Sequence, residues 1–450
     1  MPFRSCFSGL VSLVLLAAAS AAAQPKPNFV FLFADDLGYG DLASYGHPTI
    51  RTPNLDRMAR EGMRFTQFYS AANVCTPSRA ALLTGRLPIR SGLTRVLFPY
   101  SKGGIPDSEV TIAELLKSAG YTTACIGKWH LGHLPRYLPT RHGFDVYFGL
   151  PYSNDMTTAH NPRAARYNPP PLPLMRGERI IEEEPDQRYL TRRYTEEAVA
   201  FLRDAVRRKR PFFLYLPYTM PHVPLFASER FRGKSPRGLY GDAVEEIDWS
   251  VGEILRTLKE LDVDGDTLVM FSSDNGPWLT KKLDGGSAGL LREGKATTWE
   301  GGHREPFIAR WPGRIPAGVT TQAFGTMMDI FPTLAALAGV KLPENLVLDG
   351  ADLSAVLLKN DPGREPLFFY YHGAEVWAVR KGPWKLHVKT REPASGKPEP
   401  VEHDPPLLYH VLHDPGEHYD VAAEHPDVVE ELLALIRKHV KETKPGEPQT

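Results

Sequence analysis

Residues 74–86 read Val-Cys-Thr-Pro-Ser-Arg-Ala-Ala-Leu-Leu-Thr-Gly-Arg, a segment that places reactive side chains at the start of a short helix. Pro77 suits the first helical turn, where a missing N–H costs nothing, and Gly85 can close the other end. Cys75 then stands at the positive end of the helix, and Arg79, four residues on, shares its face. A nucleophile at a helix N-terminus with a guanidinium beside it is a place for an anion. A buried free cysteine on an amphipathic helix would read the same way in isolation.

Further groups are set at the ends of apolar runs. Phe29 to Phe33 predicts a strand buried on both faces, and it ends at Asp35-Asp36. Tyr121 to Ile126 runs into Lys128-Trp129-His130, Pro211 to Leu216 ends near His222, and Thr267 to Ser273 ends at Asp274-Asn275. Predicted helices lie between these strands: Thr52 to Gly62, Thr111 to Ala119, Tyr194 to Arg208 and Tyr240 to Leu261. Alternation of this kind implies an α/β fold, a mainly parallel sheet with helices on both faces. Its ligands belong beyond the carboxyl ends of the strands, where these four polar endings converge. Asp35, Asp36, Asp274 and Asn275 offer only oxygens, which suits a hard cation such as Ca²⁺ better than zinc. Lys128 and His130 can bind an anion and move a proton. Gly289 to Lys295 nearly spells a phosphate-binding loop, but Ala296 stands where its hydroxyl residue belongs and no apolar strand leads into it. Lys295 is better read as a cation reaching an anionic substrate.

Cys75-Thr-Pro-Ser-Arg79 followed by Leu83-Thr-Gly-Arg86 resembles the signature of the formylglycine-dependent sulfatase family. Phe33 to Leu42, Gly127 to Gly132, Ser273 to Gly276 and Gly294 to Gly302 are similar to further motifs of that family. The resemblance implies an alkaline-phosphatase-like α/β/α sandwich with a smaller C-terminal antiparallel-sheet domain. It implies a Ca²⁺ ion held by Asp35, Asp36, Asp274, Asn275 and the modified Cys75, and a sulfate pocket lined by Arg79, Lys128, His130, Ser153, His222 and Lys295. It also implies a maturation enzyme that oxidises Cys75 to formylglycine, whose hydrate is the nucleophile; a plain thiol would end as a dead-end thiosulfate. His222 or Lys295 would protonate the leaving alcohol, and His130 would accept a proton when sulfate leaves. Two departures bear on substrate choice: Asn154 stands where some members have histidine, and the many cysteines of the animal enzymes are missing. The expected substrate is a sulfated sugar, a glycolipid or an aryl sulfate. The rival readings are a phosphatase or phosphonate hydrolase of the same fold, and a non-catalytic protein that binds sulfated glycans.

The chain has 450 residues, enough for a large core and a lesser unit. Its 53 basic and 53 acidic residues balance, which gives no reason to expect nucleic acid or an acidic membrane surface as partner. Arg4, the apolar stretch Leu10 to Ala19 and the Ala21-Ala22-Ala23 site predict a secretory signal over residues 1–23, hence a secreted or periplasmic protein without stable membrane insertion. Of 3 cysteines only Cys75 and Cys125 follow it, so no disulfide framework is expected, and a bridge between them would consume the nucleophile. Residues 151–188 are rich in proline and predict a long surface excursion over the site. Beyond a boundary near residue 360, Leu367 to Tyr371, Val376 to Arg380 and Trp384 to Val388 predict a small antiparallel sheet, and Glu424 to Lys441 a terminal helix. The expected division is therefore a catalytic domain over 24–360 and a small α+β domain over 361–450.

Overall fold

The computed structural model describes residues 26–159, 161, 164–165 and 168–449, so the predicted signal segment lies outside the described residues. Ten strands form one sheet. In chain order they are β1 (Asn28–Ala34), β2 (Met63–Tyr69), β3 (Thr122–Ile126), β4 (Val146–Gly149), β5 (Pro173–Arg176), β6 (Arg179–Glu183), β7 (Phe212–Pro217), β8 (Thr267–Ser273), β9 (Arg304–Arg310) and β10 (Val319–Thr326). Their spatial order is β10-β2-β9-β8-β1-β7-β3-β4-β5-β6. The centre is parallel, β8-β1-β7-β3-β4, as expected for buried apolar strands. The flanks are mixed, because β9 runs antiparallel to both β8 and β2, and β5 and β6 form an antiparallel hairpin on β4.

The helices are α1 (Pro53–Arg60), α2 (Cys75–Thr84), α3 (Pro88–Ser91), α4 (Ile112–Ser118), α5 (Leu190–Arg207), α6 (Leu239–Glu260), α7 (Glu300–His303), α8 (Ile330–Ala338), α9 (Ser354–Lys359) and α10 (Pro426–Glu442). Strand β1 shows how the layers arise. Phe29, Phe31 and Phe33 enter one core with residues of α2, α4 and α8, while Val30, Leu32 and Ala34 enter the other with residues of α1, α5 and α6. The result is a sheet covered on both faces. Helix α4 starts at a capping box: Glu114 N–H donates to Thr111 Oγ1, and Thr111 N–H donates to Glu114.

The carboxyl end of the chain builds a second sheet, β11 (Leu367–His372), β12 (Glu375–Lys381), β13 (Trp384–Glu392) and β14 (Lys397–His410), antiparallel throughout. Helix α10 closes it through Leu432 on Val379, Leu386 and Leu408. Three of these strands match the predicted ones. The fourth carries four prolines and lies mostly exposed at the sheet edge, where a missing N–H is tolerated.

The proline-rich stretch 151–188 differs from expectation in its second half. Rather than a free excursion, residues 173–183 add β5 and β6 to the sheet, burying Leu174 while Ile180 and Ile181 stay exposed. Helix α5 also begins four residues earlier than predicted, at Leu190, whose side chain is buried. Among the described residues, no helix is long and apolar enough to cross a membrane.

Candidate active site

Strand register brings the polar endings together. Ala34 of β1 lies opposite Ser273 of β8, so Asp35-Asp36 and Asp274-Asn275 leave the sheet side by side. Strands β7 and β3 run parallel to β1, and their exits deliver His222 and then Lys128 and His130 to the same edge. At Gly127 (φ +134°) a Cβ would meet the Pro217 carbonyl oxygen at 1.8 Å, so only glycine lets Lys128 turn in here. Cys75 arrives from another direction, as the first residue of α2, a helix whose ten residues are all buried. Gly85 ends that helix at φ +69°, with its N–H on the Ala81 carbonyl.

Cys75 Sγ lies 3.5 Å from Asp35 Oδ1, 4.0 Å from Asp36 Oδ1 and 3.5 Å from Lys295 Nζ. Burial pushes its thiol far above the usual range despite Lys128 and Lys295, so an unmodified Cys75 is a neutral, poorly nucleophilic thiol. Arg79 is wholly buried. Its Nε and Nη2 donate to Asp274 Oδ2 at 3.0 and 2.8 Å, Nη1 donates to the Lys128 carbonyl at 2.9 Å, and Nη2 stands 3.4 Å from Asp35 Oδ1. Lys128 Nζ donates to Asp35 Oδ2 at 2.5 Å and to Ser153 Oγ at 3.2 Å. Lys295 Nζ reaches both oxygens of Asp36 at 2.7 Å. Burial opposes the charge on Asp35, but Lys128 and Arg79 outweigh it and hold the carboxyl below its ordinary range.

The two histidines present different atoms. His130 Nε2 donates to the Leu97 carbonyl at 2.9 Å, which leaves Nδ1 as a bare acceptor, buried without a partner among the described residues. Burial, with Lys128 and Arg79 nearby, pushes this imidazole well below its usual range, so it is neutral. His130 also has φ +62°, a left-handed backbone of the kind found at functional sites, and its carbonyl accepts from Thr76 Oγ1 at 2.9 Å. His222 Nδ1 donates to the Val223 carbonyl at 2.5 Å, leaving Nε2 to face the site 3.5 Å from Asp36 Oδ2.

All the side chains singled out in the sequence thus meet at one edge. One atom each from Asp35, Asp36, Cys75 and His222 lie within 4.8 Å of one another, a set that could hold a metal ion. Asp274 is turned to Arg79 instead, and its Oδ1 accepts the Asp36 N–H at 3.0 Å. Asn275 donates to Asp36 Oδ1 at 2.7 Å, and its own Oδ1 is buried with no donor among the described residues. Cys75 and Cys125 are both free. The near miss to a phosphate loop is a loop that delivers Lys295, with Ala296 N–H on the Asn73 carbonyl at 2.8 Å.

Two residues at the site were not found from the sequence. Trp278 lies with its ring 4.5 Å from Lys295 Nζ and 5.5 Å from the His222 ring, and Asp155 stands two residues beyond Ser153. Each follows a recognised motif by only a few residues, which was the signal available.

Comparison with known proteins places the chain in a family. The Sulfatase family profile matches residues 27–340, and the C-terminal region of aryl-sulfatase matches 363–450. Arylsulfatase A of Bos taurus is 44% identical over 457 residues, covering 95% of this chain and 90% of that protein. N-acetylgalactosamine-6-sulfatase of Mus musculus is 42% identical over 480 residues, covering 98% and 91%. The crystal structure of the PsFucS1 sulfatase from Pseudoalteromonas sp. superimposes with a TM-score of 0.86 at 32% identity, covering 94% of this chain and 92% of that one. These matches favour neither the phosphatase reading nor the non-catalytic binding reading. The chain belongs to the sulfatase family, whose members use formylglycine, and it is a sulfuric ester hydrolase.

Proposed function

We propose that the protein cleaves the sulfate ester of a sugar, glycolipid or aryl alcohol at the Cys75 edge of the sheet, after a maturation enzyme has converted Cys75 to formylglycine. The observation that carries this reading is the setting of Cys75 Sγ, equidistant at 3.5 Å from a carboxylate oxygen and an ammonium, in a buried position that keeps a plain thiol neutral. The aldehyde, once hydrated, supplies an oxygen nucleophile in the place that Sγ occupies here. The names of the similar proteins, arylsulfatase A and N-acetylgalactosamine-6-sulfatase, support a sulfated substrate. The predicted leader would send the protein out of the cytoplasm.

Asp35, Asp36, Asp274, Asn275 and the modified residue 75 are the groups proposed to hold Ca²⁺. The unpartnered Oδ1 of Asn275 and the absence of sulfur once Cys75 is converted fit a hard cation. When bound, the ion would supply positive charge opposite the developing charge on sulfate oxygens. The chain's own cations act on the same charge: Lys128 and Lys295 face the acids around Cys75, and Arg79 fixes Asp274 and the Lys128 carbonyl. Ser153 orients Lys128 through its hydroxyl. His222, when its imidazole is protonated on both nitrogens, presents Nε2–H to the departing alcohol, with Lys295 as the alternative donor. His130, neutral and with Nδ1 bare, is suited to take up a proton when sulfate leaves.

The test is a peptide mass at residue 75 combined with sulfate release. The processed enzyme should carry an aldehyde and hydrolyse an aryl sulfate far faster than the aryl phosphate, while Cys75→Ala should fold normally and release no sulfate. Full activity with an intact thiol, or in Cys75→Ala, defeats the proposal.

A further inference from the structure

A cavity of ≈260 Å³ opens beside the sulfate site and shares two residues with its surroundings, Trp278 and Asp155. Phe98 and Tyr100 form part of its wall, with rings 5.3 Å apart and inclined by 2°. Trp278 forms another part. Lys281 Nζ lies 4.1 Å and Lys295 Nζ 4.5 Å from its ring centre, so two ammonium groups hold the indole in place. Among the described residues Asp155 is the one carboxylate in the lining, and among them its Oδ1 is buried without a hydrogen-bond partner. Burial opposes its charge, but His222, the Ser153 hydroxyl, Lys128 and Lys295 together keep the carboxyl below its ordinary range. An ionised oxygen left without a donor at the edge of an apolar cavity is costly, and a ligand hydroxyl removes that cost.

We infer that this cavity receives the alcohol part of the ester and that this part is a sugar ring, with Trp278 walling the ring and Asp155 accepting a ring hydroxyl. The inference rests on the sulfate-ester reading above and adds which residues select the substrate. Aromatic walls alone would admit an aryl group or a lipid chain. Neither brings a donor to Asp155, and either would seal the carboxylate against apolar surface. The volume is below the range of about 300–1,000 Å³ typical of drug-sized ligands, which fits a single ring. Asp155 and Trp278 are specificity residues, since they touch the leaving group and not the ester sulfur.

The experiment compares kcat/KM of the processed enzyme on galactose 6-sulfate, on tetrahydropyran-2-ylmethyl sulfate (the same ring without hydroxyls) and on 4-nitrophenyl sulfate. Wild type should favour the hydroxylated sugar over its hydroxyl-free analogue by about tenfold or more. Asp155→Ala should reduce that preference by about tenfold or more, through KM more than kcat. Trp278→Ala should weaken both ring substrates relative to wild type. A wild-type preference below tenfold, or one that survives Asp155→Ala, overturns the inference, and the wild-type comparison decides even where a variant fails to fold. Hydrolysis of the aryl sulfate with neither ring substrate cleaved also overturns it. Release from none of the three esters would instead count against the sulfate-ester reading itself.

Discussion

Lys385 on β13 ties the second sheet to the catalytic one through a fully buried ionic cluster. Its ammonium lies 3.0 Å from Glu300 Oε1 and 2.9 Å from Glu417 Oε1, and all three side chains are 0% exposed. Glu300, on α7, also accepts from Tyr69 at 2.6 Å and Tyr370 at 2.7 Å, while Glu417 accepts the Glu300 N–H at 2.7 Å and His387 Nε2 at 2.8 Å. Lys385→Met keeps the stem but removes two charge-assisted hydrogen bonds, each worth about 1.5–3 kcal/mol. The expected loss is therefore about 3–6 kcal/mol, matching the roughly 3–5 kcal/mol for stripping one partner from a buried pair. That is a large share of a net stability of roughly 5–15 kcal/mol. Urea unfolding followed by tryptophan fluorescence measures it, since Trp299 packs 4.4 Å from the His387 ring. Adding Glu300→Gln to Lys385→Met should recover part of the loss, because it removes a stranded charge. The linkage has a sign as well. Burial would raise the Glu300 carboxyl, but Lys385, Arg304 and Arg380 hold it well below the usual range. Its contribution is full above the unfolded carboxylate pKa and is lost as pH falls toward the folded one, so wild type and variant should converge in acid. A loss under about 1 kcal/mol at neutral pH, or a double variant no better than Lys385→Met, refutes the reasoning.

Three further outcomes follow from the site and its supports. Arg79→Lys cannot reproduce the paired contacts to Asp274 together with the bond to the Lys128 carbonyl, so kcat should fall by about 10² or more, and a change within threefold would show that Arg79 only fills space. His303 and His387 are fully buried, and burial lowers them to about 3 and about 4, so below about pH 6.5 the unfolded chain binds protons that the native one refuses. Stability should be complete above that pH and decline by on the order of 1 kcal/mol per unit for each imidazole down to about pH 4; a flat unfolding temperature over this window contradicts it. Chelation of divalent ions should lower both the unfolding temperature and sulfate release, with calcium restoring both and Asn275→Ala blunting the response; indifference to chelator removes the metal from the account.

The parts most legible in the sequence were those with unbroken patterns. Phe29 to Phe33 and Thr267 to Ser273 are apolar runs that form β1 and β8 where expected, because strands buried on both faces carry no competing signal. Strands β2 and β9 were not recognised. Met-Arg-Phe-Thr-Gln-Phe-Tyr alternates too loosely, and Arg-Glu-Pro-Phe-Ile-Ala-Arg looks charged although every residue of β9 is buried. Their burial comes from neighbours far along the chain, β10 and Glu300 for β2 and Tyr45 for β9. The hairpin β5–β6 was hidden for a related reason: it lies on an edge, in a proline-rich stretch.

Residue types and spacing pointed to an anion site beside a hard cation, and the resemblance of the Cys75 to Arg86 segment named the sulfatase chemistry. A cysteine at a helix start, acids and an amide after apolar runs, and lysines and histidines after others depend on local geometry, since a strand must end where its apolar run ends. Pairing partners within that set are a different matter. That Arg79 grips Asp274, that Lys295 rests on Asp36 while Lys128 takes Asp35, and that His130 keeps Nδ1 bare are consequences of strand register and burial. So is the cavity bounded by Trp278 and Asp155, which belong to loops 123 residues apart in the chain and meet only because β4 and β8 release them at one edge of the sheet. Local propensity acts over a few residues; contacts between carboxyl ends of different strands are made by packing, and packing is a property of the whole fold.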